Sequence, residues 1–499
     1  MSPTLILGFV AVYFTALLGI AWLTGRNADN QGYFLGNRRS PWPVVAFGLI
    51  GDSLSGVSFI SVPGKVSTQQ FAYFQVVLGY VVGYIVIIHA LLPLYYRLRL
   101  TSIYGYLGTR FDQVTQKTGS ALFLLSRLFG SAARLYLAVT VFQTFVFDRI
   151  QLPGFAHPGV PFWLTATAVI ALILIYTLRG GIKTLVWTDT FQSAFLVLGV
   201  VLTVVFIAKA MGWGPAQLAQ EVWNSPLSKV LVWDWRSPSF FWKQFLSGAG
   251  FAIVMTGLDQ NSMQKNLSCR SLRDAQKNLY AFSGVMMAVN LSILVLGALL
   301  TLYSQAQAIA LPARTDQLFP LLALQHLQLA AGITFVVGLT AATFNSADSV
   351  LTTLTTSFCV DFLRFGASDG RNEEAAGLIR RRVHLAFAAA LLGVMLLLPL
   401  VPVQYAVIDL VLKVAGYTYG PLLGLFALGV FTRIPAGGWT VPVIAIASST
   451  LCAVLERSAK TWLHGYEVGF ETLLLNAVFT AVGVAILARK SAASCAGSQ

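Results

Sequence analysis

The stretch VVAFGLIGDSLSGVSFISVPG, residues 44–64, decides how this chain is read. Most of its side chains are apolar, yet glycines at 48, 51 and 56, hydroxyls at 53, 55, 58 and 61, and the carboxylate of Asp52 fall in the middle of what hydrophobicity marks as a helix. If the segment is surrounded by water, this is an ordinary loop. If it lies in hydrocarbon, an aspartate at its centre costs about 2.5–3.5 kcal/mol and needs a reason. Two readings stand: a helix broken where freed backbone groups line a cavity or hold an ion, or a kink packed against a neighbour by small residues.

The rest of the chain supplies the hydrocarbon. Of 499 residues, 56% are hydrophobic and 10% charged, against about 25% charged in soluble domains. Runs such as LILGFVAVYFTALLGIAWL, residues 5–23, are apolar on every side, unlike the short alternating segments of a membrane β-barrel. About thirteen such stretches are long enough to span a bilayer. They lie near 4–24, 42–62, 71–96, 119–146, 160–179, 185–211, 239–262, 275–303, 330–360, 381–402, 404–432, 437–457 and 468–488. The expected fold is therefore an all-α polytopic membrane protein, and the first stretch is read as a retained span rather than a signal peptide.

The net charge of +14 does not require a nucleic-acid partner. With the N-terminus outside and the C-terminus inside, 21 of the 33 Lys and Arg, Lys265 among them, fall in inner loops and the tail, as the positive-inside rule demands. The four cysteines, Cys269, Cys359, Cys452 and Cys495, are scattered, with no disulfide or metal-ligand spacing. No Walker-type glycine loop is present, so ATP-driven pumping is disfavoured. No obligate protein partner is evident, and the absence of a His/Glu metal motif or a Ser/His pair in the spans argues against an enzyme.

Other spans are irregular as well. FLSGAGFAIVMTGLDQNSMQKNL, residues 245–267, repeats the pattern of glycines followed by Asp259, Gln260, Asn261 and Ser262. The two interrupted spans lie five apart, which is what a pair of inverted five-helix repeats predicts, with a binding site at midplane. The resulting division is a first peripheral helix in 1–30, a first repeat in 31–211, an external loop in 212–238, a second repeat in 239–432, and two peripheral helices with a short cytoplasmic tail in 433–499. In GLTAATFNSADSVLTTLTTSFCVDF, residues 338–362, positions 342, 345, 346 and 349 share a helical face. Hydroxyl and amide or carboxylate oxygens suit a hard cation, a use that fits Ser346 and Asp348, while the later threonines suit back-bonding to their own helix. Asp189 sits a turn or so inside its span, either paired with Arg179 or Lys183 or serving a cation path. In LLSRLFGSAARLYLAVTVFQ, residues 124–143, Arg127 is placed to snorkel. Arg134, flanked by Gly130, Ser131, Ala132 and Ala133, suits either a carboxylate ligand or a buried aspartate. Asp409 and Lys413 are expected to pair at i and i+4, and His89 reads as a packing residue.

These stretches, together with YFLGNRRSPWPVVAFGLIGDSLSGVSFISVPG, RGGIKTLVWTDTFQ and DQNSMQKNLSCRSLRDAQK in this order, resemble the sodium:solute symporter family, thirteen-span proteins with a five-plus-five inverted-repeat core. The resemblance covers nearly the whole chain. It implies a main sodium site made of the carbonyls of Gly51, Leu54 and Ala342 with the side chains of Asn345 and Ser346, the family usually having Ser or Thr where this chain has Asn345. It implies a second sodium between Asp189 and Ser346, Ser349 and Asp348, where small residues are usual at the last of these. Sugar-carrying members differ at Ser58, Phe59 and Val77, so a sugar is disfavoured. Members that carry sialic acid hold its carboxylate with an arginine of the fourth span, where this chain has Arg134. The resemblance thus implies a plasma-membrane importer, working by alternating access, that couples one or two Na+ to a small carboxylate-bearing solute such as a monocarboxylate, sugar acid or amino acid. The expected pocket is Asp52, Ser53, Ser55, Ser58, Phe59, Gln75, Arg134, Asp259 and Gln260. The alternatives are a proton-coupled carrier of the same fold, with Asp348 or Asp189 titrating, and a sodium-coupled carrier of a neutral sugar or polyol. A further rival, from another class, is a membrane sensor or channel built on such a fold.

Overall fold

The computed structural model describes residues 2–24, 40–100, 102–150, 159–177, 182–365, 373–400 and 406–496, excluding the side chains of residues 21, 24, 176, 182–184, 346, 373 and 489–496. All regular structure among them is helical, apart from one isolated bridge between Ser40 and Cys269. The principal helices are α1 Pro3–Thr24, α2 Trp42–Ser53, α3 Gly56–Gln69, α4 Phe74–Leu98, α5 Gln113–Phe145, α6 Phe162–Thr177, α7 Ile182–Ala210, α8 Phe241–Ala252, α9 Gln260–Leu267, α10 Leu272–Ala306, α11 Leu329–Ser357, α12 Glu373–Leu397, α13 Val407–Phe431, α14 Thr440–Trp462 and α15 Thr472–Ala496.

Among the described residues nine helices are long and apolar enough to cross a membrane, or ten if the bent pair α2–α3 is one span. The remaining expected spans fall on the interrupted α8–α9 and on two shorter apolar helices, Phe162–Ile175 and Thr472–Ala488. Outer faces of the peripheral helices are apolar and exposed, as at Phe431, Trp439, Val443 and Ile446, the surface a lipid solvent selects.

Both interrupted spans are broken in the structure. Leu54 (φ −98°, ψ 86°) and Ser55 (φ −81°, ψ 173°) leave the helical region, and the axis bends by 58° between α2 and α3. Further along, α8 runs into a π-helical turn, Ile253–Gly257, and Leu258 and Asp259 separate it from α9. Glycine permits the tight packing around these breaks. A Cβ on Gly79 of α4 would lie 2.0 Å from the Phe245 carbonyl, and one on Gly248 would lie 2.2 Å from the Val76 carbonyl, so α4 and α8 approach backbone to backbone. The core layer that positions the site consists of α2 against α7 and α10, α7 against α11, and α9 touching α2, α7 and α11. Helices α5 and α13 pack together beside it.

Candidate functional site

At the first break the backbone is held open by side chains. The Gly51 amide donates to Ser193 Oγ (2.8 Å), and that hydroxyl donates to the Gly48 carbonyl (3.3 Å). A Cβ on Gly51 would fall 2.3 Å from Asn345 Nδ2 and 2.6 Å from Ser193 Oγ, so only glycine lets α2 lie this close to α7 and α11. Asn345 Nδ2 donates to the Asp189 carbonyl (3.4 Å), while its Oδ1 is buried with no hydrogen-bond partner among the described residues. Asp52 Oδ1 is likewise buried and unpartnered. An unpaired buried acceptor is costly, and these two oxygens are of the kind that suits a small hard cation. The described residues contain no group of three or more His, Cys, Asp or Glu placed for a metal ion, so the set is one of mixed neutral and charged oxygens.

The predicted cation ligands divide between two places. Gly51 and Asn345 meet at the break, and Leu54 closes α2 by donating to the Ile50 carbonyl (2.7 Å). Ala342 is fully buried on α11, and the Ser346 side chain lies outside the described residues. Asp189 and Ser349 instead surround an ammonium: Lys265 Nζ donates to Asp189 Oδ2, to Asp52 Oδ2 (2.5 Å) and to Ser349 Oγ (3.0 Å). Asp348, also fully buried, accepts from the Ser349 amide through Oδ1 (2.6 Å). The charge count placed Lys265 in an inner loop, but it is 1% exposed. Its signal was its place in the polar run just after the second break. The alternative partners of Asp189 at positions 179 and 183 fall outside the described side chains.

A cavity of about 70 Å3 opens against the same break. Five of the predicted pocket residues line it, namely Asp52, Ser53, Ser55, Ser58 and Arg134, and Arg127, Tyr73, Tyr80, Tyr84, Phe251, Met255, Thr256 and Asn290 complete much of the wall. Arg134 is buried, yet no described side chain forms an ion pair or hydrogen bond with its guanidinium. The tyrosines of α4 were invisible to a reading that sought charge and broken helices. The cavity shares Tyr73 and Leu412 with a larger vestibule of about 460 Å3, which is lined by Lys65, Gln69, Asp409, Lys413 and Glu456.

Four predicted pocket residues have other partners. Phe59 packs with Phe319 and Phe335. Gln75 donates to the Ala72 and Ser239 carbonyls and accepts from the Val232 amide. Gln260 Oε1 accepts from the Ile103 amide (2.9 Å). Asp259 takes Arg127 Nε (2.5 Å) and the Tyr419 hydroxyl (2.5 Å) on one oxygen, and the Asn261 and Ser262 amides on the other. Arg127 therefore does not snorkel; it is buried in an ion pair. Asp409 pairs with Lys65 (2.6 Å) rather than Lys413, which reaches Glu456 instead. The later threonines back-bond as expected, Thr355 to Leu351 (2.7 Å) and Thr356 to Thr352 (2.9 Å). His89 meets the Tyr280 hydroxyl (2.7 Å).

Comparison with known proteins agrees with this architecture. The sequence is 26% identical over 432 residues to the human sodium-coupled monocarboxylate transporter 1, covering 83% of this chain and 67% of the relative. It is 23% identical over 480 residues to the sodium/sialic acid symporter SiaT of Proteus mirabilis (strain HI4320), covering 94% and 93%. A solved substrate-bound, outward-open Na+-coupled sialic acid symporter superposes with a TM-score of 0.80 at 21% identity over 97% of both chains, which establishes a shared fold. The family model for sodium:solute symporters matches residues 33–438. With that match spanning both broken helices and the helices around them, the chain belongs to the sodium:solute symporter family.

Proposed function

We propose that this protein is a sodium-coupled symporter that imports a small carboxylate-bearing solute across the plasma membrane by alternating access, with its N-terminus outside and its C-terminus inside. The observation that carries the reading is Arg134, a buried guanidinium that lines the cavity and has no ion pair with a carboxylate among the described residues. A guanidinium presents paired donors that match a carboxylate, and its burial excludes the water that weakens such a contact. The cavity has space for roughly five to seven waters, which favours a small acid. A monocarboxylate is also the cargo named for the human relative, and a sialic acid that for the Proteus mirabilis one.

The cation set supports the coupling. Sodium at the break joins α2, through Gly51 and Leu54, to α11, through Ala342 and Asn345. Asp52 links the two functions, since it lines the substrate cavity while its side chain lies in the polar layer behind it. Order at the break then favours substrate, and by linkage substrate tightens sodium by the same factor.

The test is thermal unfolding of the detergent-purified protein with monocarboxylates, sugar acids, amino acids and neutral sugars, in sodium and in potassium. A ligand of the native state raises the midpoint by mass action. A shift with an acid only in sodium is expected, and Arg134→Ala is expected to weaken that acid about 30-fold or more, since truncating one side of a buried charge pair costs about 2–5 kcal/mol. Shifts indifferent to sodium favour proton coupling, and shifts with neutral sugars that survive Arg134→Ala remove the carboxylate reading.

A further inference from the structure

We infer that the ammonium of Lys265 is a built-in cation standing where a second sodium would be held, so that this chain binds one sodium per polypeptide. The inference rests on the sodium-coupled reading above and adds its stoichiometry. Lys265 arises from α9, directly after the second break, yet its side chain reaches the first break: Nζ has Asp189 of α7, Asp52 of α2 and Ser349 of α11 as acceptors. Two carboxylates and a hydroxyl from three helices are the kind of oxygen set that meets a monovalent cation. Here the cation is covalently attached and cannot be carried away.

Asp52, Asp189, Asp259 and Asp348 are buried, and so are Lys265, Arg127 and Arg134. Lys265 Nζ takes the other Asp52 oxygen, Asp189 and Ser349, which leaves Asp52 Oδ1 and Asn345 Oδ1, unpartnered among the described residues, for the single sodium. Removing the lysine charge leaves Asp189 and one oxygen of Asp52 without a cation, a state that a buried site does not tolerate unless an ion replaces it.

The experiment is equilibrium binding of 22Na+ to the full-length protein in detergent, with no organic solute, for wild type, Lys265→Met, Lys265→Gln and Lys265→Arg. One sodium per chain is expected for wild type and Lys265→Arg, and two for Lys265→Met and Lys265→Gln. The double variant Asp189→Asn/Lys265→Met is expected to return to one. Two sodiums on wild type overturn the inference while leaving sodium coupling standing; none on wild type removes both. One sodium on well-folded Lys265→Met and Lys265→Gln also overturns it. Should these two variants be unstable, purification in sodium and in potassium decides: recovery of monodisperse protein only in sodium supports an ion replacing the ammonium, and aggregation in both salts overturns it.

Discussion

Two helices of this chain are broken in the middle of the protein, and the breaks are finished in opposite ways. At Leu258–Asp259 every group that can be checked is satisfied. Tyr95 donates to the Gly257 carbonyl (2.9 Å) and Tyr104 to the Leu258 carbonyl (3.0 Å), while Asp259 holds Arg127, Tyr419 and two amides of α9. At Leu54–Ser55 one oxygen of Asp52 and that of Asn345 lack partners among the described residues, and a cavity lined by Arg134 opens alongside. Polar residues in a helix interior thus have two uses. One break is a sealed joint, and the other keeps unmet acceptors beside a cavity, where the proposed sodium would sit.

Perturbing each break in turn tests the contrast, and the sealed one is expected to respond most. Asp259→Ala leaves Arg127 buried without its carboxylate, which costs about 3–5 kcal/mol. Its expected outcome is severe loss of folded protein, read as the monodisperse fraction in size-exclusion chromatography; normal recovery would make the second break a functional site after all. Gly51→Ala comes next. Its methyl group meets Asn345 and Ser193 at 2.3 and 2.6 Å, an overpacking worth about 1–3 kcal/mol, and it acts on the cation set, so sodium affinity is expected to fall further than the melting temperature suggests.

At the open break, Asp52→Asn preserves shape while removing a charge, and Lys265 keeps Asp189. Sodium affinity is expected to fall about tenfold, equivalent to ~1.4 kcal/mol, with the protein still folded. Unchanged 22Na+ binding by this variant would separate Asp52 from the cation site. The smallest change is Tyr104→Phe, which removes one buried donor to the Leu258 carbonyl and is expected to cost about 1 kcal/mol of stability with no change in sodium affinity. A sodium effect there would show that the two breaks are coupled rather than separate in role.

The fold was largely legible because a bilayer leaves few options. Uniformly apolar runs must be helices, and glycine with Asp in their centres must be breaks, so residues 44–64 and 245–267 announced themselves. One approach was legible from the resemblance: Asn345 and Gly51, 294 positions apart along the chain, lie side by side. Partner choice was not legible. Asp409 lies four residues from Lys413 yet pairs with Lys65, and Arg127 reads as an interfacial side chain yet meets Asp259, 132 positions along the chain.

Sequence by itself determined that this chain is a bundle of spanning helices with two interruptions, because the cost of exposing backbone or charge to hydrocarbon is written into every residue. Tertiary structure alone decided what each charge does. An ion pair depends on which side chains converge within about 4 Å, and that is set by helix packing. Hence Asp259 became a structural cap, Arg134 was left facing a cavity, and Lys265 took a place between two aspartates.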